Sequence, residues 1–198
     1  ALELARSIAP GATLDLVHYY GMQITPSGAI GAQDAGVLPR REGRLTIGMI
    51  DTGIVGHSAL GETSVELRDF SDGEGGVPTA HGTAIASILA SEGSSTIYAA
   101  NIFRGSAERP HTSADALVRA LEWMAGNDVP VINMSLSGPR NSVLDRLVQR
   151  TISGGTVIVA AAGNGGASAP PAYPAALRNV VAVTAVDRNN RVYRYANH

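Results

Sequence analysis

The chain has 198 residues, 44% hydrophobic and 16% charged, enough for one domain with a real core and too apolar for a disordered chain. A net charge of -2 with no block of like charges argues against a nucleic-acid partner, and no apolar run reaches the ~20 residues of a membrane span. Cysteine is absent, and the five histidines (His18, His57, His81, His111 and His198) lack the helical His-x-x-x-His spacing, so neither a disulfide framework nor a metal site is read from them.

Residues 1–40 read as an N-terminal extension. "ALELARSIAPG" predicts a short helix stopped at Pro10-Gly11, and the remainder is rich in Gly, Ala and Pro without clear periodicity. From residue 41 onward the pattern changes. Five short apolar segments recur: Leu45–Ile50, Thr96–Phe103, Pro130–Leu136, Thr156–Ala162 and Val180–Val186. They are hydrophobic on both faces and too short for helices, which suits buried strands of a parallel sheet.

Between them, residues 82–91, 113–125 and 143–153 carry helical stripes: Ile85, Ile88 and Leu89; Leu117, Leu121 and Met124; Leu144, Leu147, Val148 and Thr151. Thr112 with Asp115, and Ser142 with Asp145, resemble capping boxes. Trp123 lies beside a helical core face, where packing is expected. The loops "GEGGVP" and "GNGGASAPP" punctuate the chain. Alternating strands and helices predict an α/β fold with a doubly wound, mostly parallel sheet flanked by helices.

Asp51 ends the first apolar run and opens an Asp51-Thr52-Gly53 turn. This tripeptide suits either a carboxylate dyad of the aspartic protease kind or a lone acid that orients a base. The dyad needs two such loops on an all-β frame, whereas one occurs here on an α/β pattern. In an open α/β sheet, reactive groups gather beyond the carboxyl ends of the strands, where Asp51 falls. A second motif, "AHGTAIASILA" (Ala80–Ala90), sets His81 at the mouth of a helix, with Gly82 keeping the approach uncrowded. A third, "VINMSLSGP" (Val131–Pro139), runs a strand into a glycine, and a fourth, "VIVAAAGNGG" (Val157–Gly166), ends a strand near Asn164.

Taken in order, and followed by Tyr173-Pro174 and "VVAVTAVD", these motifs resemble the subtilisin-like serine proteases over roughly residues 45–195. The resemblance implies a serine endopeptidase acting on peptide or protein substrates. Asp51 would fix the tautomer of His81, His81 would act as general base and then general acid, and Asn164 would donate to the developing oxyanion. Ser135, Leu136, Ser137 and Gly138 would form the edge on which an extended peptide pairs. Ala161, Ala162 and Gly163 would form the opposite wall of the first specificity pocket. The resemblance also implies a secreted or periplasmic bacterial protein in which residues 1–40 are a prosegment remnant or an accessory extension and 41–198 are the N-terminal part of the catalytic domain.

Three departures shape the expectations. The family's Gly-Thr-Ser-x-Ala segment does not occur, so the nucleophile is expected on a C-terminal companion chain released by a cut after His198, or on a segment missing from a shortened chain. This chain alone is then expected to be inactive; the remaining alternative is a noncatalytic relative that binds extended peptides. Ser137 stands where glycine is usual, which predicts a narrower pocket entrance. The stretch "ILASEGSSTIYAANIF" passes from helix to strand with little room for the calcium loop seen in many members, so no calcium is expected at that site, other sites remaining open. No cofactor is expected. His57 is read as scaffold.

Overall fold

β2 (Leu45–Asp51) is the axis of the molecule. It lies between β4 (Ser94–Asn101) and β7 (Val131–Met134), and the sheet continues to β3 (Ser64–Asp69) on one side and to β9 (Val157–Ala161) and β10 (Val181–Val183) on the other. The order is β10-β9-β7-β2-β4-β3, and every pairing is parallel. The computed structural model describes residues 19–22, 45–55, 60–72, 80–91, 94–106, 109–186 and 189–197; the helix expected in Ala1–Gly11, the Gly73–Pro78 loop and His57 lie outside the described residues.

Successive residues of a strand face opposite sides of a sheet, and β2 divides its apolar side chains accordingly. Met49 joins Ile97, Ala99 and Ala86, the last from helix α1 (Ala80–Ser91), on one face. Ile50 joins Ile132, Leu117, Leu121 and Leu144 on the other, beneath helices α2 (Ala114–Gly126) and α3 (Ser142–Ser153). Helices cover both faces, which is why the central strands read as unbroken apolar runs. Leu117, Leu121 and Met124 are fully buried, a burial that contributes about 1.5–3 kcal/mol for each such side chain. Gly48 lets α2 approach the sheet: a Cβ there would lie 2.8 Å from Met124 Sδ. Trp123 packs as expected, 5.6 Å from Phe70 and 5.5 Å from Tyr98 between ring centroids.

The helix starts differ from the expected capping boxes by one residue each. Ser113, not Thr112, caps α2, its Oγ accepting from Ala116 N (3.3 Å). Thr112 belongs to a strand and donates to Ile102 O (2.6 Å). Asn141, not Ser142, caps α3, its Oδ1 accepting from Val143 N and Leu144 N (3.1 and 2.9 Å). Asp115 and Asp145 instead serve ion pairs with Arg119 and Arg140.

A second sheet was not legible in the sequence. β5 (Arg104–Ser106), β6 (Arg109–Ser113), β1 (Tyr19–Met22) and β8 (Leu136–Ser137) lie in the order β5-β6-β1-β8, all antiparallel. β1 comes from the N-terminal extension. It lies between β6, with Tyr20 opposite Thr112, and β8, with Gly21 opposite Ser137 and Met22 opposite Leu136.

Candidate active site

All six long-sheet strands run parallel, so their carboxyl ends share one edge. Along that edge β2 ends in Asp51, the adjacent β7 leads into Ser135, and β9, the next strand, leads into the turn carrying Asn164. Neighbouring strands lie about 4.8 Å apart, so two strand spacings separate the Asp51 and Asn164 lanes by about 10 Å, the scale of a peptide-binding cleft.

Asp51 is fully buried, and its Oδ1 gathers three partners. Thr52 N donates to it at 2.7 Å and Thr52 Oγ1 at 3.2 Å. The third is His81 Nδ1 at 2.9 Å, from the second residue of α1. A carboxylate only accepts, so the shared proton sits on Nδ1 and Nε2 is the basic nitrogen of the ring. Thr52 also ties the acid's turn to the base's helix, because its Oγ1 accepts from Gly82 N (3.0 Å). That closeness requires glycine: a Cβ on Gly82 would lie 2.5 Å from both Thr52 O and Thr52 Oγ1. Thr83 adds a second tie, accepting from Val55 N (3.1 Å).

Asn164 follows Gly163, which is buried and has φ +109°, and precedes Gly165 and Gly166, the latter with φ +90°. Left-handed backbone in this turn thus falls on the glycines, leaving Asn164 for a role other than filling that conformation. Gly163 and Asn164 stand between two clefts. One, of about 220 Å³, is lined by Asn133, Ser135, Ala161, Gly163, Asn164 and Thr184 among others. The other, of about 610 Å³, is lined by Ser137, Gly138, Pro139, Gly163, Asn164 and Ala172 among others.

The expected peptide edge is a strand whose exposed side is already used. Leu136 is buried in the core, Ser135, Ser137 and Gly138 are half-buried, and β8 pairs with β1. Gly138 pairs on with Tyr173, exchanging both backbone hydrogen bonds (2.9 and 3.0 Å). Ser135 Oγ accepts from Asn133 Nδ2 (3.1 Å), so this serine is tied to its own strand. Of the opposite wall, Ala161 ends β9, Ala162 N donates to Val183 O (2.9 Å), and Gly163 carries the turn. One residue at this site was missed by the sequence reading. Asn197 accepts from Gly165 N through Oδ1 at 2.8 Å, and its own N donates to Gly163 O at 3.0 Å.

The family model for subtilases matches residues 43–198, most of the chain. The chain belongs to the subtilase family. It is 36% identical to subtilisin DY of Bacillus licheniformis, over 72% of this chain and 57% of that protein. It is 32% identical to subtilisin Savinase of Lederbergia lenta, over 73% of this chain and 56% of that one. This subtilase chain therefore spans little more than half the length of these curated relatives. Among solved structures, the prenylagaramide maturation protease PagA shares its fold, with a TM-score of 0.66 at 22% identity over 77% of this chain and 57% of that one. Among the described residues, no helix is long and apolar enough to cross a membrane and no group of three acidic or histidine side chains is placed to hold a metal ion.

Proposed function

We propose that this subtilase chain supplies the acid, the base and the oxyanion donor of a serine endopeptidase. The observation that carries the reading is the 2.9 Å contact between Asp51 Oδ1 and His81 Nδ1, on the same sheet edge as Asn164. His81 Nε2 accepts the hydroxyl proton as a serine oxygen attacks the scissile carbonyl. The same nitrogen then protonates the leaving amine as the C–N bond breaks. The Asn164 carboxamide donates to the oxygen that gains charge, in the turn beside the cleft. The serine comes from a segment outside these 198 residues, either in the same polypeptide or on a companion chain, so residues 1–198 alone form no acyl-enzyme.

The substrate is an extended peptide or protein segment that pairs with Ser135–Gly138 as a strand and places one side chain against Ala161–Gly163. β1 supports this, since an extended segment of the chain itself lies antiparallel on β8. Such an edge provides affinity through the main chain, and the clefts beside it provide selectivity. The same pairing favours a second reading, a binder that captures extended peptides without cutting them. A secreted or periplasmic setting fits the family.

A fluorophosphonate probe tests the proposal on the complete protein that contains these residues. Covalent labelling of a serine outside residues 1–198, lost in the His81→Ala variant, is expected. Labelling within residues 1–198 would refute the division of roles, and no labelling at all, with retained peptide binding, would establish the binder.

A further inference from the structure

We infer that Asn197 is a positioning residue for the oxyanion donor: it fixes the peptide units on either side of Asn164 and so sets where the Asn164 carboxamide points. This rests on the reading of Asn164 as that donor.

The turn from Ala162 to Gly166 is anchored by bonds from later parts of the chain. Ala162 N donates to Val183 O at 2.9 Å and Gly166 N to Tyr195 O at 2.9 Å. The two residues adjacent to Asn164 are both held by Asn197: Gly163 O accepts from its backbone N, and Gly165 N donates to its side-chain Oδ1. Asn197 is itself well buried, 9% exposed, and its Nδ2 reaches Pro170 O at 3.5 Å. Its carboxamide packs against the turn. A Cβ on Gly163 would lie 2.7 Å from Asn197 Nδ2 and 3.0 Å from its Cγ, so the left-handed glycine and the asparagine fit as a pair. Residues 193–197 form their own tight turn, with Ala196 N donating to Tyr193 O at 2.8 Å, and Tyr193 N donates in turn to Ala185 O at 2.8 Å, beyond β10. The platform under Asn164 therefore connects through hydrogen bonds to the parallel sheet.

The chemistry demands this support. A donor helps the reaction only if it lies within about 2.7–3.1 Å of the oxygen as it gains charge, and a displacement of about 0.5 Å from productive geometry erodes the effect. A turn of three glycines around one asparagine has little stiffness of its own. Asparagine suits position 197 because the Gly165 N–H needs an acceptor and Pro170 O accepts; aspartate keeps only the first contact, and alanine or leucine keeps neither. The deficit falls on the charged transition state and leaves ground-state peptide binding on β8 intact, so it enters kcat and spares KM.

The test uses the complete protein and a double-mutant cycle with a chromogenic peptide. Asn164→Ala is expected to lower kcat by about 10²–10³, the range known for removing such a donor from a subtilisin. Asn197→Ala is expected to lower kcat by about 10-fold or more with KM within about twofold, and Asn197→Asp to recover part of that loss. Adding Asn197→Ala to Asn164→Ala is expected to change kcat by less than about twofold, because both changes remove one contribution. Where alanine at 197 prevents folding, Asn197→Leu, with the same branching and no polar atoms, gives the kcat reading. An Asn197→Ala or Asn197→Leu enzyme with unchanged kcat, or a full multiplicative loss in the double variant, overturns the inference. An Asn164→Ala enzyme with unchanged kcat overturns the oxyanion reading itself.

Discussion

Asp51 and His81, thirty positions apart, meet at 2.9 Å because β2 ends at the same edge from which α1 begins. The contact assigns a tautomer, and Asp51→Asn reverses that assignment. An asparagine presents an N–H as well as an oxygen, so the imidazole turns its proton toward Nε2 and stops serving as a base. In the complete protein kcat should fall by about 10⁴ at nearly unchanged fold, as in other Ser-His-Asp triads. Circular dichroism with steady-state kinetics checks it; a loss smaller than tenfold would remove Asp51 from the mechanism.

Thr52 and Gly82 join the two halves of that dyad. A Gly82→Ala side chain would collide with Thr52 O and Oγ1, and overpacking of this kind costs typically about 1–3 kcal/mol. Urea titration should show the lower midpoint, and the Thr52→Ser variant, which keeps the hydroxyl between Gly82 N and Asp51, should fall less than Thr52→Val. A larger loss for serine than for valine would mean the methyl group, not the hydroxyl, matters.

Arg119 of α2 clamps the exit of β3. It donates to Phe70 O at 3.2 Å and pairs with Asp72 and, four residues before it on the helix, with Asp115 at 3.0 Å. The hydrogen bond to Asp72 is the largest cause raising its pKa above the ordinary arginine value. A raised folded-state pKa stabilises the protein fully below the unfolded value and ceases to do so only as pH rises past the folded one, so alkaline titration to pH 10 should leave this contribution intact. The group is part-exposed, and its ion pairs are expected to contribute no more than about 1 kcal/mol, reduced by salt. Arg119→Met should therefore shift the urea midpoint modestly at low salt and less at 1 M salt; a salt-independent shift would locate the effect in packing.

β1 lies on the edge proposed for substrate, so the two compete. Proline at position 21 lacks the N–H of a ladder strand, whichever neighbour it faces, and Gly21→Pro should release β1 from β6 and β8. A fluorescent extended peptide should then bind the complete protein at least about tenfold more tightly, read by anisotropy. Unchanged affinity would show that peptides bind away from β8.

The long sheet was legible because both faces of its central strands are covered, so β2, β4, β7 and β9 appear as apolar runs; β10 was read as a buried strand too, but it is the other edge strand, with Val181, Ala182 and Val183 all exposed. β3 was not: it is an edge strand with Val65 alone half-buried and five exposed positions, so "SVELRD" carries no strong pattern. The helix caps were misplaced by one residue because Thr112 and Ser142 have the right chemistry at the wrong backbone position. Thr112 is committed to β6 by its bond to Ile102 O.

By itself the sequence determined the parts that repeat over short distances: the apolar runs, the helical stripes, and the turns that put Asp51, His81 and Asn164 at strand or helix ends. Only the tertiary structure decided which of those parts touch. Residues 19–22 joining β8 across more than a hundred positions, and Asn197 bracing a turn more than thirty positions earlier, leave no periodic trace. Such pairings arise from chain closure and hydrogen-bond satisfaction at a distance, whereas periodicity records only what a residue does relative to its near neighbours.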